Sequence, residues 1–306
     1  MVSILGILNL TRDSFSDGGR FVDPRAAIEH AGRLVADGAA IVDVGAESTH
    51  PDAEDVSAAD EIRRLDPVIG ALVADGFAVS VDTCKPAVMR AAIAQGVVMI
   101  NDVNGFRDPD AIAAVRDADV RLIVMHNRSP RGRARPDSGG ADATRAAPPT
   151  DGPPALGTAT IVDEIAAFFQ RQVAALTAAG VRRERIILDP GMGLFLGRDP
   201  ALSVRVLREL ARLGALGLPL CVSVSRKSFI GATLAAPGAP ARPVDQRGAG
   251  TLAAELWAAA NGAELIRTHD VRALRDAITM WSALRGDPAA NPSGGGAIAI
   301  PCDGAA

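Results

Sequence analysis

Residues 4–19 read ILGILNLTRDSFSDGG. The stretch opens on Ile4, Leu5, Gly6, Ile7 and Leu8, an apolar run short enough to be a strand buried on both faces. It then turns abruptly polar through Asn9, Thr11, Arg12, Asp13, Ser14, Ser16 and Asp17, and closes on Gly18 and Gly19. A buried strand that ends in a burst of hydrogen-bonding groups marks a ligand position in α/β proteins, at the carboxyl ends of the strands. A single stretch of this kind reads most simply as a polar loop after a core strand. Its recurrence along the chain changes that reading.

Seven further Val/Ile-rich runs follow, at 41–44, 78–81, 97–100, 121–125, 186–188, 219–224 and 264–267. Each leads into a polar cluster and then an Ala/Leu/Arg segment of helical period. Asp23 is placed to cap a helix opened by Pro24 and stopped by Gly38. Ser57, three residues before Asp60, forms an approximate capping box for a helix reaching residue 74. Pro86 and Pro109 open two more, and a helix over 161–179 is ended by Gly180. Further helices are predicted over 200–213, 246–261 and 271–284.

Eight strand–helix units predict a (β/α)8 TIM barrel, a single domain over residues 1–285. An open doubly wound sheet is the alternative, but near-equal units with no extra strands favour closure. Residues 127–157, rich in Gly, Ala, Pro and Arg, predict a flexible insert after strand five. The arginines within it, Arg128, Arg131, Arg133 and Arg135, read as a solvated loop rather than a basic patch. Residues 286–306 predict a disordered tail.

A net charge of −4 and an aromatic content of 3% argue against a nucleic-acid or anionic-membrane surface. Cys84, Cys221 and Cys302 have no paired spacing, so neither a disulfide framework nor a zinc cluster is expected. There is no basic leader and no apolar run of spanning length, so a soluble cytoplasmic protein is expected.

The strand ends form one set: Asn9; Glu47 to His50; Asp82 and Thr83; Asn101 and Asp102; Met125 and His126; Asp189 to Gly191; Ser225 to Ser228; Arg267 to Asp270. A barrel brings them to one mouth. Any one Asp there could simply cap the next helix. Buried carboxylates and a buried lysine are costly unless they pair with each other or with a ligand. Asp82, Asn101 and Asp189 suit a planar heterocycle with adjacent N–H donors. Arg267, His269, Asn9 and the helix start at Ser228 suit a phosphate or diphosphate. No HExxH, Walker loop or GxGxxG stretch is present. Ser225 lies in SVSRKS, outside any nucleophile elbow.

In this order, GILNLTRDSFSDGG, DVGAESTHP, SVDTCKP, INDV, DPGMG, SVSRKSFIG and IRTHD resemble the motifs of the dihydropteroate synthase family, over nearly all of residues 1–285. The resemblance implies a TIM-barrel transferase of folate biosynthesis. Such an enzyme joins 6-hydroxymethyl-7,8-dihydropterin diphosphate to 4-aminobenzoate, and the family expectation is a homodimer. It implies that Asp82, Asn101, Asp189 and Lys227 hold the pterin, with Met125 near its ring. Asn9, Arg267 and His269 hold the diphosphate, with Mg2+ near Asn9. Thr49, Ser228 and the loops after strands one and two close over the aminobenzoate. Asp82, Asp189, Lys227 and Arg267 are the residues on which catalysis is expected to rest.

The chain departs from the common pattern at His50 (commonly Arg), Asp52 (Gly), Cys84 (Ser), and Met192 and Leu194, where many members have Phe. These departures cluster on the aminobenzoate side and resemble the sulfonamide-insensitive branch. Phe195, next to Leu194, is the residue expected to obstruct a bulky sulfonamide, with His50 tuning the carboxylate side. Core packing under the loop is the plainer reading of Phe195. Two other classes share the barrel: a non-catalytic pterin-binding paralogue, and a methyltetrahydrofolate-binding methyltransferase module. The module has no need of SRKS or RTHD, and both are present.

Overall fold

The computed structural model describes residues 2–10, 23–47, 55–128 and 160–286. Its strands are β1 (Ser3–Asn9), β2 (Ile41–Gly45), β3 (Val79–Asp82), β4 (Met99–Asp102), β5 (Arg121–Met125), β6 (Ile186–Asp189), β7 (Leu220–Val222) and β8 (Ala263–Thr268). They pair in chain order, all parallel, and β8 returns to β1 to close the barrel. Around it lie α1 (Pro24–Ala36), α2 (Ala58–Ala74), α3 (Pro86–Ala94), α4 (Pro109–Val115) and α5 (Ile161–Ala178). The second half adds α6 (Pro200–Arg208), α7 (Leu210–Gly214), α8 (Ser228–Thr233), α9 (Gly248–Ala260) and α10 (Val271–Arg285).

The local signals act as read. The Asp23 side chain accepts from Arg25 N, and Ser57 and Asp60 bond each other reciprocally. Three boundaries differ from the prediction. The helix predicted over 200–213 breaks at Glu209, whose backbone (φ −107°, ψ 16°) leaves the helical region, so α6 and α7 are separate. The helix predicted from 246 begins at Gly248, because Val244–Gln246 forms its own tight turn. The strand predicted over 219–224 pairs only over Leu220–Val222, and the helix start read at Ser228 opens the short α8.

The barrel interior is built by the period of two along each strand. Leu5, Ile41, Met99, Ile123, Ile187, Cys221 and Leu265 form an apolar plug. Two residues further along the same strands stand Ile7, Asp43, Asn101, Met125, Asp189, Ser223 and Arg267. Two further on again are Asn9, Ser225 and His269. The strands therefore turn from apolar to polar as they rise, which places a polar floor directly on the plug. The alternate residues, among them Leu8, Val42, Val81, Ile100, Leu122, Leu188 and Ile266, face outward into the core shared with the helices.

Asn127 and Arg128, placed by the sequence reading at the start of the flexible insert, are held. Asn127 is buried and its side chain donates to Val103 O. Arg128 pairs with Glu164 at the head of α5. The rest of the predicted insert, the predicted tail beyond Gly286, and Thr49 and His50 lie outside the described residues.

Candidate active site

A cavity of about 200 Å³ opens at the carboxyl ends of the strands. Asp82, Asn101, Asp189, Lys227 and Arg267 line it, together with Asn9 and His269. Met125 and Phe195 supply apolar wall, and Glu47, Ser223 and Ser225 also line it. Leu194 does not reach the cavity. It packs behind Phe195, Met125 and Val103. Ser228 begins α8 and is not among the lining residues.

Asp82, Asn101 and Asp189 sit on the last residues of their strands rather than after them, so the barrel wall itself fixes them. Asp189 is 2% exposed, and its Oδ1 accepts from Gly191 N at 2.8 Å. Gly191 has φ +67°, and a Cβ there would lie 2.1 Å from His126 O, so only glycine allows this turn. Asn101 is buried with Oδ1 unpartnered, an orphan acceptor on the cavity wall. A buried orphan of this kind calls for a ligand donor.

Arg267 is the hub of the floor. Its guanidinium bonds Asp43 Oδ2 through Nε, and Asp82 Oδ2 through Nη2 at 2.5 Å. Asp43 is fully buried, and Asn101 Nδ2 reaches its Oδ2 at 3.5 Å. Burial works to lower the Arg267 pKa, but Asp43 and Asp82 outweigh it and raise it above its usual range. Burial likewise pushes Asp82 up to about 7, against the pull of Arg267. Burial also raises Asp189, with Lys227 opposing. Lys227 is driven down to about 8 by burial, with Asp189 holding against it. Its Nζ donates to Met192 O at 3.3 Å and stands 5.0 Å from the Phe195 ring centroid. His269 is lowered to about 3 by burial and by Arg226, Arg267 and Lys227, so it is neutral at pH 7. His269 therefore meets a ligand as a neutral donor or acceptor, not as a cation. Most of the Arg267 charge is already met by two carboxylates.

Two clusters had no assigned role in the sequence. Asp43 carried a faint signal, standing two residues after Ile41 in the register of an inward strand face. Lys85, the first-turn neighbour of α3, bridges Glu47 at the cavity and the fully buried Glu61 of α2, the latter at 2.5 Å. Glu47 also accepts from Val56 N at 3.3 Å. One lysine thus ties the ends of the loop after β2 to the helical shell. Nothing local in the sequence pairs residues so far apart.

The wall carrying Phe195 is clamped from β5. Arg128 N donates to Phe195 O at 3.1 Å, Arg128 Nη1 donates to Leu196 O at 3.1 Å, and Glu164 receives the Arg128 guanidinium. Burial alone would raise Glu164, but its bonds with His126 and Arg128 hold it at about 2. A carboxylate held below its unfolded value stabilises the fold above pH 4.5 and loses that contribution as pH falls towards 2. Glu164→Gln is therefore expected to cost about 2 kcal/mol in urea unfolding at pH 7. That difference from wild type should shrink steadily on going from pH 4.5 to 3. A constant deficit across that range would show that packing, not charge, holds the clamp.

Residues 5–269 match the profile of the pterin binding enzyme family. The type-2 dihydropteroate synthase of Escherichia coli is 45% identical over 284 residues, covering 92% of this chain and 96% of that protein. The chain belongs to the dihydropteroate synthase family. Solved relatives agree with its fold. The Xanthomonas albilineans enzyme in complex with 4-aminobenzoic acid superposes with TM-score 0.78 at 40% identity, over 94% of both chains. The same enzyme in complex with 7,8-dihydropteroate gives 0.75 at 38% identity, over 94% of this chain and 95% of that one. The (β/α)8 barrel read from the strand–helix alternation is thus the fold of the family.

Among the described residues, no helix is long and apolar enough to cross a membrane, and no three His, Cys, Asp or Glu side chains are arranged to hold a metal.

Proposed function

We propose that this protein is a dihydropteroate synthase that joins 6-hydroxymethyl-7,8-dihydropterin diphosphate to 4-aminobenzoate, forming 7,8-dihydropteroate and diphosphate. The observation that carries the reading is one buried polar floor, Asp82, Asn101, Asp189 and Lys227, below a rim bearing Asn9 and His269. Asp189, with one oxygen already bonded to Gly191 N, offers the other to adjacent N–H groups of the pterin. The orphan Asn101 Oδ1 accepts another. Lys227 donates to the pterin carbonyl, and Met125 packs near the ring.

Loss of diphosphate leaves positive charge on the pterin methylene. Asp82 and Asp189 lie in the same dry cavity and favour that charge by fixed electrostatics rather than by bond making. Arg267 holds Asp82 in place and, as a cation lining the cavity, is assigned to the leaving group. The arylamine nitrogen then bonds the methylene carbon and releases one proton to water, and its orientation is the chain's main contribution to that step. Thr49, His50 and Ser228 are assigned to the aminobenzoate side.

Asn9 alone cannot build a metal site, but its amide oxygen suits a Mg2+ that arrives with the diphosphate and keeps most of its waters. The ion, when bound, neutralises charge on the departing diphosphate. A homodimer is supported by large apolar side chains left exposed, Trp257 on α9 and Met280, Trp281 and Leu284 on α10. A cytoplasmic location fits the absence of any membrane-crossing helix among the described residues.

Purified protein with Mg2+ and the two substrates should form dihydropteroate. Tight pterin binding without product would instead mark a non-catalytic paralogue.

Low sulfonamide sensitivity is assigned to Phe195. The residue is 8% exposed and lines the cavity, and its ring lies under the Lys227 ammonium, so it is both core packing and cavity wall. A steric obstacle discriminates between two ligands that share an aniline and differ in bulk at the far end. Phe195→Gly should lower the ratio of sulfamethoxazole inhibition constant to aminobenzoate Michaelis constant by about ten- to a hundredfold. An unchanged ratio in the variant would remove Phe195 from this role.

A further inference from the structure

The end of β5 holds two walls of the cavity at once. Asn127 Nδ2 donates to Val103 O at 3.3 Å, and the Arg107 guanidinium donates to Asn127 O at 2.7 Å. One residue on, Arg128 N donates to Phe195 O and Arg128 Nη1 to Leu196 O, both at 3.1 Å. Met125, the last residue of β5, packs with Val103 and Phe195 in one apolar cluster, and all three line the cavity. Residues 127 and 128 therefore tie the loop after β4 and the loop after β6 to a single strand end.

The loop after β6 depends on such a tie. Phe195 closes the tight turn Gly193–Phe195 and stands two residues from a glycine on either side. Gly193 has φ +67° and Gly197 has φ +137°. Glycine moves between backbone regions more readily than any other residue, so both flanks of Phe195 are soft. Leu196 N and Gly197 N donate to Gly193 O at 2.9 and 3.3 Å, and Gly193 N donates to the Ser203 hydroxyl at 2.8 Å. Those bonds shape the turn and fasten its first residue to α6. The carbonyls of its far half, Phe195 and Leu196, are fastened by Arg128.

Arg128 is itself fixed. Its Nε and Nη2 meet the Glu164 carboxylate at the head of α5, with Nε 3.0 Å from Oε1. Glu164 Oε1 also lies 3.4 Å from His126 Nε2. A planar guanidinium can serve a carboxylate along one edge and a carbonyl from its remaining nitrogen, in one rigid geometry.

We propose that Arg128 is a specificity-positioning residue, which holds the backbone of Phe195 and Leu196 so that the Phe195 ring stays in place between 4-aminobenzoate and its bulkier sulfonyl analogues. The inference rests on the reading that Phe195 is that obstacle. An obstacle discriminates only while it does not yield. A ring free to retreat by about 1 Å no longer rejects the larger ligand. The smaller substrate does not press on the wall, so its turnover does not depend on the clamp. The Lys227 ammonium, 5.0 Å from the ring centroid, steadies the ring but not the backbone that carries it.

Steady-state kinetics of the full-length protein test this in Arg128→Met, Arg128→Lys, Phe195→Gly and the double variant Arg128→Met with Phe195→Gly. The readout is the ratio of sulfamethoxazole inhibition constant to aminobenzoate Michaelis constant. Arg128→Met keeps the backbone N–H but loses the guanidinium. It should lower the ratio about tenfold, with kcat and the pterin Michaelis constant unchanged. Arg128→Lys keeps the charge but lacks the fork that reaches Glu164 and Leu196 O together, so its ratio should fall in between. It carries the test if Arg128→Met does not fold. The double variant should match Phe195→Gly alone, because without the ring the clamp has nothing to hold in place. A wild-type ratio in the Arg128 variants, beside a lowered one in Phe195→Gly, overturns the proposal and leaves Phe195 as the obstacle. A loss confined to kcat and the pterin constant would mark a structural role and overturns it as well. So does a ratio in the double variant well below that of Phe195→Gly, since Arg128 would then act elsewhere. A wild-type ratio in Phe195→Gly removes the reading beneath the proposal, and the proposal with it.

Discussion

Arg267→Met is expected to destabilise the barrel by about 3–5 kcal/mol at pH 8, the cost of leaving buried charge without its partner. Two carboxylates depend on this one guanidinium. Asp43 is fully buried, and its remaining contact is Asn101 Nδ2 at 3.5 Å. Asp82 is already pushed up to about 7 by burial with Arg267 present. Without the cation, Asp82 must take up a proton or bear the full cost of burial, and Asp43 is left buried without its cationic partner. The sign of the pH dependence follows. A carboxyl whose folded pKa is raised stabilises the native state below its unfolded value and loses that contribution as pH rises through the folded value. The deficit of the variant should therefore be smaller at pH 5 than at pH 8. Urea unfolding at the two pH values measures it. Adding Asp43→Asn should recover part of the loss, because the two positions share one interaction. A loss under about 1 kcal/mol at pH 8 would mean that the floor tolerates bare carboxylates, and the hub assigned to Arg267 would fall.

Asp189→Asn is expected to weaken pterin binding by about 2–4 kcal/mol, thirty- to a thousandfold, with little change in folding stability. Asn can still accept from Gly191 N with its oxygen, as Asp189 does at 2.8 Å. Its amide nitrogen then faces the ligand and sets a donor against donors. The fold loses little, because Asp189 is a buried carboxyl whose charge burial already disfavours. The melting temperature should stay within about 4 °C of wild type, or rise. Calorimetric titration with a pterin tests the first part and differential scanning calorimetry the second. Unchanged affinity would make Asp189 a structural cap for the Gly191 turn.

Between Asp82 and Arg267, and between Arg128 and Phe195, the contacts join residues far apart in the chain, and this limits what could be read in advance. The strand ends were legible because polar residues at those positions are adjacent to apolar runs. Asp43 was not, because a single Asp inside an apolar run looks the same whether it caps, faces solvent or is buried. The breaks at Glu209 and before Gly248 were missed because helical period continues across them.

The amino-acid sequence by itself determined the barrel, its eight units and the family, because strand and helix periods and the motifs at strand ends are local properties of the chain. It also determined which residue types stand at the mouth. The tertiary structure alone decided which charges meet, which oxygen is left orphaned and which groups are neutral at pH 7. Those properties depend on burial and on distances across the closed barrel, and neither exists until β8 has paired with β1.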